Sequence, residues 1–249
     1  MLVCALPIVP GTFSRHCSNR ALRQQPPQLG GLPKQLTVLK LSAYGSWRTA
    51  EQVDEYLVVP YGSEIWMTGV KVIGFCGNAQ RPSKTRALVE AVSEKIRQRH
   101  GFSVEIFDLV DAGEGLAACS PAGLNDQARS IVEAIENADA LIVGSPVYKG
   151  SYAGMFKHVF DLVHPSALIN RPVLLTATGG GMRHSLVVEH QLRPLFGFFE
   201  ACTIPTAIYA SETDFTDGVP SNPMVLKRII DAVDQFAGLA GRPCCVAAE

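Results

Sequence analysis

The stretch from residue 70 to residue 85 reads VKVIGFCGNAQRPSKT and joins an apolar run to a polar loop. Residues 70–76 are too few for a helix and are apolar apart from one lysine, which predicts a strand buried on both faces of a parallel sheet. After Thr85, apolar residues recur at helical spacing from Leu88 to Ile96. The sequence therefore predicts a buried strand that leads through a short polar loop into an amphipathic helix.

The polar loop carries residues suited to an anion. A strand that leads directly into a helix points the first N–H groups of that helix outward from the carboxyl edge of the sheet, where they favour negative charge. Ser83 is placed to cap the helix, and Arg81, Ser83 and Thr85 offer a positive charge and hydroxyl donors. The pattern favours a phosphate site, and an ordinary turn capped by Ser83 is the alternative interpretation.

The spacing of the loop narrows the class of phosphate ligand. A nucleoside triphosphate loop needs Gly, Lys and then Ser or Thr at its sixth to eighth positions, where this chain has Pro82, Ser83 and Lys84. A dinucleotide fingerprint needs three closely spaced glycines, and none follows Gly77 before Gly101. The remaining interpretation is a hydroxyl-rich loop for a single phosphomonoester, such as that of FMN, at the first turn of a flavodoxin-like sheet.

The rest of the chain repeats the unit of strand and helix. Short apolar segments bounded by turn residues predict four more strands, at residues 103–109, 140–145, 173–178 and 203–210. Helical patterns occupy residues 126–137, 152–163, 185–201 and 223–240. This alternation predicts one doubly wound α/β domain that binds its ligands beyond the carboxyl ends of the strands.

Two further loops at that edge carry residues suited to a flat ring. The loop after the third strand offers a rigid proline, an aromatic face and a glycine that permits close approach. The loop after the fourth strand offers unobstructed backbone N–H groups for a polar ring edge. The residues concerned are Pro146, Val147, Tyr148, Lys149, Gly150 and Ser151 in the first loop, and Thr178, Gly179, Gly180 and Gly181 in the second. Each loop alone is more often a plain turn, but three loops at one edge favour a ligand site.

Four segments resemble the NAD(P)H-dependent FMN reductases of flavodoxin-like fold. They are GNAQRPSKT from Gly77, SPVYKGSYAGMFKHVFDL from Ser145, ATGGGMRHSLVVEHQLRPLFGFF from Ala177 and YASETDF from Tyr209. In order and spacing they are most similar to the reductase components of two-component alkanesulfonate and methanesulfonate monooxygenase systems, and the resemblance runs from about residue 70 to 240. It implies a five-stranded parallel sheet in the order 2-1-3-4-5 with helices on both faces. Asn78 departs from the pattern, because relatives often have Gly-Ser or Gly-Gly there.

The resemblance implies an enzyme that transfers a hydride from NADH or NADPH to FMN and supplies reduced FMN to an FMN-dependent monooxygenase of the sulfonate type. Carried over by position, Arg81, Ser83 and Thr85 would hold the FMN phosphate. Residues 146–151 would line the isoalloxazine ring, and residues 178–181 would meet its pyrimidine edge. No catalytic side chain is expected, since hydride transfer is the chemistry of the cofactors themselves. The sequence does not choose between NADH and NADPH.

Two other functions share this fold. The first is an NAD(P)H-dependent quinone, azo or metal-ion reductase that keeps FMN bound throughout its cycle. The second is a flavodoxin-like electron-transfer module, which usually has a strongly acidic docking face. The net charge of −1 argues against the electron-transfer module.

Pro194 interrupts the helix predicted at residues 185–201. It has no N–H to donate to the carbonyl of His190, so the helix must bend or bulge there, either as a proline kink or as a π-bulge. In the resembling reductases, a one-residue insertion at this place is associated with a π-helix at the subunit interface and with FMN that leaves. His190 corresponds to that residue, and a homodimer or homotetramer is expected.

Composition excludes several classes of protein. The charge is too small to indicate nucleic acid binding. Seven cysteines without metal-ligand spacing argue against a metal site, and their odd number argues against a secreted disulfide framework, so a cytoplasmic protein is expected. No stretch reaches about 18 consecutive apolar residues, which argues against a membrane span.

The ends of the chain lack the periodicity of its middle. Residues 1–66 are rich in proline and predict a low-order extension, for which a transit peptide is one interpretation. We prefer a translation start at Met67, just before the first predicted strand, where the resembling reductases begin. The reductase domain is predicted to span residues 67–241, with a tail at 242–249.

Overall fold

The computed structural model describes the backbone of residues 36–41 and 55–60 and the whole of residues 70–241. The chain divides into two compact units, Met1–Ile65 and Trp66–Glu249. In the first unit, β1 (Leu36–Leu41) pairs antiparallel with β2 (Glu55–Pro60). The rest of the predicted extension, the preferred start at Met67 and the tail at 242–249 lie outside the described residues.

The second unit is built on a parallel sheet. Its strands are β3 (Val72–Cys76), β4 (Val104–Asp108), β5 (Ala140–Tyr148), β6 (Ser151–Tyr152), β7 (Pro172–Gly179), β8 (Cys202–Thr203) and β9 (Ile208–Ser211). The sheet order is β4-β3-β5-β7, and both β8 and β9 pair with β7. A separate hairpin joins β10 (Phe215–Thr216) to β11 (Val219–Pro220). Because β8 and β9 occupy one position, the order is 2-1-3-4-5, and the predicted flavodoxin-like topology is confirmed.

The last strand differs from its prediction, since residues 203–210 do not form one continuous strand. β8 ends at Thr203 and β9 begins at Ile208. Pro205 interrupts the pairing because it has no N–H to donate to a neighbouring strand. Its carbonyl and that of Ile204 instead accept hydrogen bonds from the Arg193 guanidinium, at 3.3 and 3.0 Å.

Helices cover both faces of the sheet. They are α1 (Lys84–His100), α2 (Leu109–Ala112), α3 (Asp126–Glu136), α4 (Gly154–Leu162), a π-helix (Val188–Leu192), α5 (Arg193–Phe198) and α6 (Pro223–Ala240). The buried apolar residues form two clusters: α1 and α6 pack on one face, and α3, α4 and α5 pack on the other. Alternate side chains of each buried strand pack in one cluster or the other, which is why these strands are apolar throughout.

The helix predicted at residues 185–201 is divided. A short 3₁₀ turn at Met182–His184 precedes the π-helix, and α5 follows it directly and ends at Phe198. The N–H of Arg193 bonds the carbonyl of Val188, five residues back, which is the hydrogen bond that defines a π-helix. Of the two forms that Pro194 allows, the structure has the π-bulge.

The described residues contain neither a membrane-spanning helix nor a cluster of metal-ligand side chains. None of the helices there combines the length and the apolar character that a membrane crossing needs. No group of three or more His, Cys, Asp or Glu side chains in the same region is arranged to hold a metal ion.

Candidate functional site

The three loops singled out in the sequence lie at one edge of the sheet. They follow β3, β5 and β7, which are parallel neighbours: Cys76 is aligned with Gly144, and Pro146 with Thr178. We call this edge, formed by residues 77–85, 145–151 and 178–181, the rim. The rim lies where the order of the strands reverses, between β3 and β5, which is where ligands bind in doubly wound sheets.

The first rim segment begins helix α1 as predicted. Ser83 has an extended backbone, and its Oγ accepts a hydrogen bond from the N–H of Arg86 at 3.4 Å. No acidic residue occupies the first turn of α1. The positive end of the helix dipole is therefore not neutralised by a side chain of its own first turn, which favours an anion there.

Gly77 is required by packing rather than by a ligand. A Cβ atom at this position would lie 2.7 Å from the Cβ of Phe156 on α4. The N–H of Gly77 extends the sheet by bonding the carbonyl of Gly144 at 2.7 Å. The chain can thus leave β3 only with a glycine at this point.

Arg81 does not present a free charge to the rim. Its Nε and Nη2 atoms donate to the two carboxylate oxygens of Asp108, each at 2.8 Å, and Nη2 lies 2.6 Å from Asp111 Oδ1. The guanidinium that the sequence offers to a phosphate is thus already paired with two carboxylates. Its contact with a phosphate stays a prediction.

Asp108 is the residue that sequence reasoning missed. It ends β4, its side chain is fully buried, and it accepts hydrogen bonds from Asn78 and Arg86, each at 3.0 Å, as well as from Arg81. Burial alone would raise the pKa of Asp108, but the hydrogen bonds from Arg81, Asn78 and Arg86 outweigh it and lower the pKa to about 2. The carboxylate is therefore ionised at neutral pH. A charged residue at the carboxyl end of a predicted buried strand was the available signal.

Asn78 has an unpaired buried oxygen. The side chain is only 4% exposed, and its Nδ2 donates to the carbonyl of Gln80 at 3.1 Å and to Asp108 Oδ2 at 3.0 Å. Both partners are acceptors, so the amide orientation is determined. Oδ1 is left without a hydrogen bond partner. An unsatisfied buried acceptor costs about 1–3 kcal/mol, which a ligand with a hydroxyl group would remove.

Two residues assigned to different parts of a ligand contact each other. The hydroxyl groups of Thr85 on α1 and Thr178 on β7 lie 2.6 Å apart, and both side chains are buried. Only one of the two hydroxyl groups donates in this bond. The other keeps its proton for a further acceptor, so the pair contributes one hydroxyl donor beneath the first turn of α1.

The loop after β5 is a tight β-hairpin. Tyr148 pairs with Ser151, and the turn residues Lys149 and Gly150 have φ angles of 52° and 85°. These values suit a two-residue hairpin turn, so the conformation of the turn by itself accounts for Gly150. The approach of a ring to this glycine stays a prediction. Tyr148 is 62% exposed at the rim. The Ser151 hydroxyl donates to Gln191 of the π-helix at 3.1 Å.

The glycine loop after β7 is held by Tyr209 of β9. The Tyr209 hydroxyl donates to the carbonyl of Gly181 at 2.6 Å. A Cβ at Gly179 would lie 2.4 Å from that hydroxyl oxygen and 3.4 Å from Val147, whereas a Cβ at Gly180 or Gly181 would meet nothing within 4 Å. Gly179 is therefore the crowded position of this loop.

The π-helix lies beside the hairpin. His190 is exposed, and Pro194 follows in the first turn of α5. Arg193 pairs with Glu189 one turn earlier and donates to Thr203 Oγ1 at 2.9 Å. The π-helix is thus joined to the end of β8 as well as to the hairpin.

Comparison with known proteins identifies relatives across this whole region. Residues 70–216 match the family model of NADPH-dependent FMN reductases. The NADH-dependent FMN reductase SfnF of Pseudomonas fluorescens is 43% identical over 173 residues, which cover 69% of this chain and 92% of the relative. The FMN reductase (NADPH) of Pseudomonas aeruginosa is 44% identical over 177 residues, with the same coverage of 69% and 92%. The names of these relatives divide between NADH and NADPH, so the likeness selects neither donor.

Solved structures show the same architecture. The apo form of an NADH:FMN oxidoreductase, EmoB, superposes with a TM-score of 0.63 at 26% identity, covering 70% of this chain and 92% of that one. An oxidoreductase from Corynebacterium diphtheriae superposes with a TM-score of 0.60 at 30% identity, covering 70% and 98%.

Proposed function

The chain belongs to the NADPH-dependent FMN reductase family and reduces FMN with a nicotinamide nucleotide, and from that premise we propose that the rim binds FMN as a substrate that leaves after reduction. The observation that carries the proposal is the set of unused polar groups at the rim. Three kinds of group are concerned. Asn78 Oδ1 lies just after β3, and the spare hydroxyl proton belongs to the pair of Thr85 on α1 and Thr178. The third kind is the backbone N–H groups that begin α1.

The donors and acceptors of the rim fit the parts of FMN. The first N–H groups of α1, with Ser83 and the pair Thr85 and Thr178, suit a phosphomonoester. Asn78 Oδ1 needs a donor, and the ribityl chain next to the phosphate carries hydroxyl groups. The exposed hairpin at residues 146–151 is assigned to the ring, and the glycines at residues 179–181 to its polar edge. Thr178, expected from the sequence at that edge, is assigned to the phosphate instead because its hydroxyl contacts that of Thr85.

FMN supplies the redox chemistry when it is bound, since its ring accepts a hydride from the nicotinamide. The task of this chain's residues is to bind and to orient. Asp108 holds the segment that contains Asn78 and Arg81, and Tyr209 fixes the backbone of the glycine loop. Neither task requires a proton to move.

We assign the reduced FMN to a partner monooxygenase of the sulfonate type. The support is the resemblance of the four segments that begin at Gly77, Ser145, Ala177 and Tyr209 to sulfonate-system reductases, together with the relatives SfnF and SfnE, which are named NADH-dependent FMN reductases. Free cysteines at Cys119 and Cys202 are exposed, which suits the reducing conditions of the cytoplasm.

We also propose that the chain forms a homo-oligomer and that the surface around the π-helix is the subunit interface. The side chains of Met182, Leu186 and Phe198, which flank the π-helix in sequence, are between 62% and 68% exposed. Large apolar side chains exposed on one part of the chain are consistent with a subunit interface. His190 lies among them in sequence, and we assign it to that interface.

The experiment is to purify the chain, record its visible spectrum and follow the oxidation of NADH and of NADPH with FMN, FAD and riboflavin. We expect colourless protein that oxidises a nicotinamide only when flavin is added, fastest with FMN. Yellow protein that ignores added FMN but reduces quinones would contradict the proposal and favour a reductase with permanently bound FMN.

A further inference from the structure

The two cations of the first rim segment, Arg81 and Lys84, and the neighbouring Arg86 are each paired with a carboxylate. Lys84 lies 2.8 Å from Glu212, and Arg81 is held by Asp108 and Asp111. Arg86 lies 3.0 Å from Asp108, 2.8 Å from Glu90 and 3.5 Å from Asp111. These contacts join three cations, Arg81, Lys84 and Arg86, to four carboxylates, Glu90, Asp108, Asp111 and Glu212. Together these seven groups carry a net charge of −1, and the pair of Lys84 and Glu212 is separate from the cluster that the other five form.

This pairing bears on how strongly the loop would hold a phosphate. A phosphomonoester carries about −1.5 to −2 charges at neutral pH, and a hydrogen bond to it from a charged arginine or lysine is stronger than one from a neutral donor. Here the phosphate would meet backbone N–H groups and hydroxyl groups, while the positive charges nearby are neutralised by carboxylates. Backbone and hydroxyl donors retain the orientation of the phosphate but contribute less binding energy than an added ion pair.

We propose that Asp111 and Glu212 set the affinity for FMN by neutralising Arg81 and Lys84, and thereby keep FMN exchangeable. The inference rests on the proposed function, in which FMN is a substrate that must leave. Asp111 is the informative residue because it is not part of the buried anchor: its side chain is 31% exposed, whereas that of Asp108 is fully buried. Its Oδ2 also accepts from the N–H of Asp108 at 3.0 Å, and an asparagine oxygen can accept the same bond.

The test is the variant Asp111→Asn, which removes one negative charge and keeps the shape of the side chain. Binding of FMN and of riboflavin is measured by quenching of flavin fluorescence, at low ionic strength and again with added NaCl. We expect the Kd for FMN to fall by roughly threefold to tenfold, as a Coulomb interaction over several ångströms at a protein surface implies. The Kd for riboflavin, which lacks the phosphate, should not change, and salt should reduce the gain for FMN.

Two further variants make the result specific. Glu212→Gln releases Lys84 at an exposed site, so it should tighten FMN binding in the same direction without endangering the fold. Asp234→Asn removes the carboxylate that pairs with Arg99 at 2.7 Å near the other end of α1, and it should leave both Kd values unchanged.

Several outcomes would overturn the inference. Unchanged or weaker FMN binding in both Asp111→Asn and Glu212→Gln, with reversible binding in the wild type, would overturn the inference alone. Equal tightening of FMN and riboflavin would show that the phosphate is not the group affected, which also overturns it. A wild-type protein that carries FMN through gel filtration would refute the proposed function and this inference together.

Discussion

The two ends of helix α1 carry the same ion pair in different surroundings. Before its first turn, Arg81 donates Nε and Nη2 to Asp108, each at 2.8 Å. In its last turn, Arg99 donates the same two atoms to Asp234, at 2.9 and 2.7 Å. The side chain of Asp108 is fully buried, whereas that of Asp234 is 41% exposed. With 17 residues, the helix that lies between the two pairs is about 25 Å long.

The difference shows that geometry alone does not measure the importance of an ion pair. An exposed pair is worth about 0–1 kcal/mol, because water solvates both charges when the pair is broken. A buried carboxylate has no such substitute, and losing it leaves its partners uncompensated. Asp108 also accepts from the N–H groups of Val110 and Asp111 at the start of α2, so one side chain organises the rim segment and the next helix.

Removing each carboxylate in turn is the largest test of this comparison. We expect Asp108→Ala to lower the free energy of unfolding by about 3–5 kcal/mol, since Asn78, Arg81 and Arg86 lose their shared acceptor. Asp234→Ala should cost less than about 1 kcal/mol. Urea unfolding followed by circular dichroism measures both values, and equal losses would show that burial does not separate the two pairs.

The second test measures how tightly the glycine loop of the rim packs against Tyr209. Gly179→Ala places a Cβ 2.4 Å from the Tyr209 hydroxyl oxygen, so Tyr209 must move and release the carbonyl of Gly181. We expect a loss of about 2–3 kcal/mol, at the upper end of overpacking costs. Gly180→Ala, one residue further along, meets nothing within 4 Å and is the matched control. Thermal unfolding of the two variants should differ clearly, and indistinguishable transitions would mean that Tyr209 yields without cost.

The parts of the fold that the sequence predicted depend on local signals. The bounds of α6, the cap at Ser83 and the interruption of the helix before Pro194 each follow from residues close together in the sequence. The sequence left open whether that interruption is a proline kink or a π-bulge. The division of the last strand into β8 and β9 was not predicted. Whether Pro205 breaks the strand depends on whether its missing N–H would have faced a neighbouring strand, and the sequence alone does not show this.

The chemistry of the rim was harder to predict, because its partners are distant in sequence. Arg81 and Asp108 are 27 residues apart, and Thr85 and Thr178 are 93 apart. Residue types place Arg81 in the loop between β3 and α1, but only the fold shows that two carboxylates, from the end of β4 and from α2, pair with it. Electrostatic roles belong to neighbourhoods in space, which a linear pattern does not define.

The pH dependence of stability gives the finest test of the comparison. The pKa of Asp108 is lowered from 3.8 to about 2, so its ionised form is stabilised in the folded state. A lowered pKa contributes stability that is complete above the unfolded value and is lost as the pH falls through the folded value. At about 1.4 kcal/mol for each pH unit, this contribution is about 2 kcal/mol and should disappear between about pH 4 and pH 2.

The measurement is the difference in unfolding free energy between the wild type and Asp108→Asn, taken from pH 6 down to pH 2. The difference should shrink across that window, because the wild-type carboxylate becomes protonated and resembles the variant. Hydrogen bonds from Arg99 also lower the pKa of Asp234, but that side chain is well exposed, and solvent screens the effect. Asp234→Asn should therefore give a small difference at every pH. A pH-independent difference for Asp108→Asn would mean that the buried pair stabilises the rim through shape and hydrogen bonding rather than through charge.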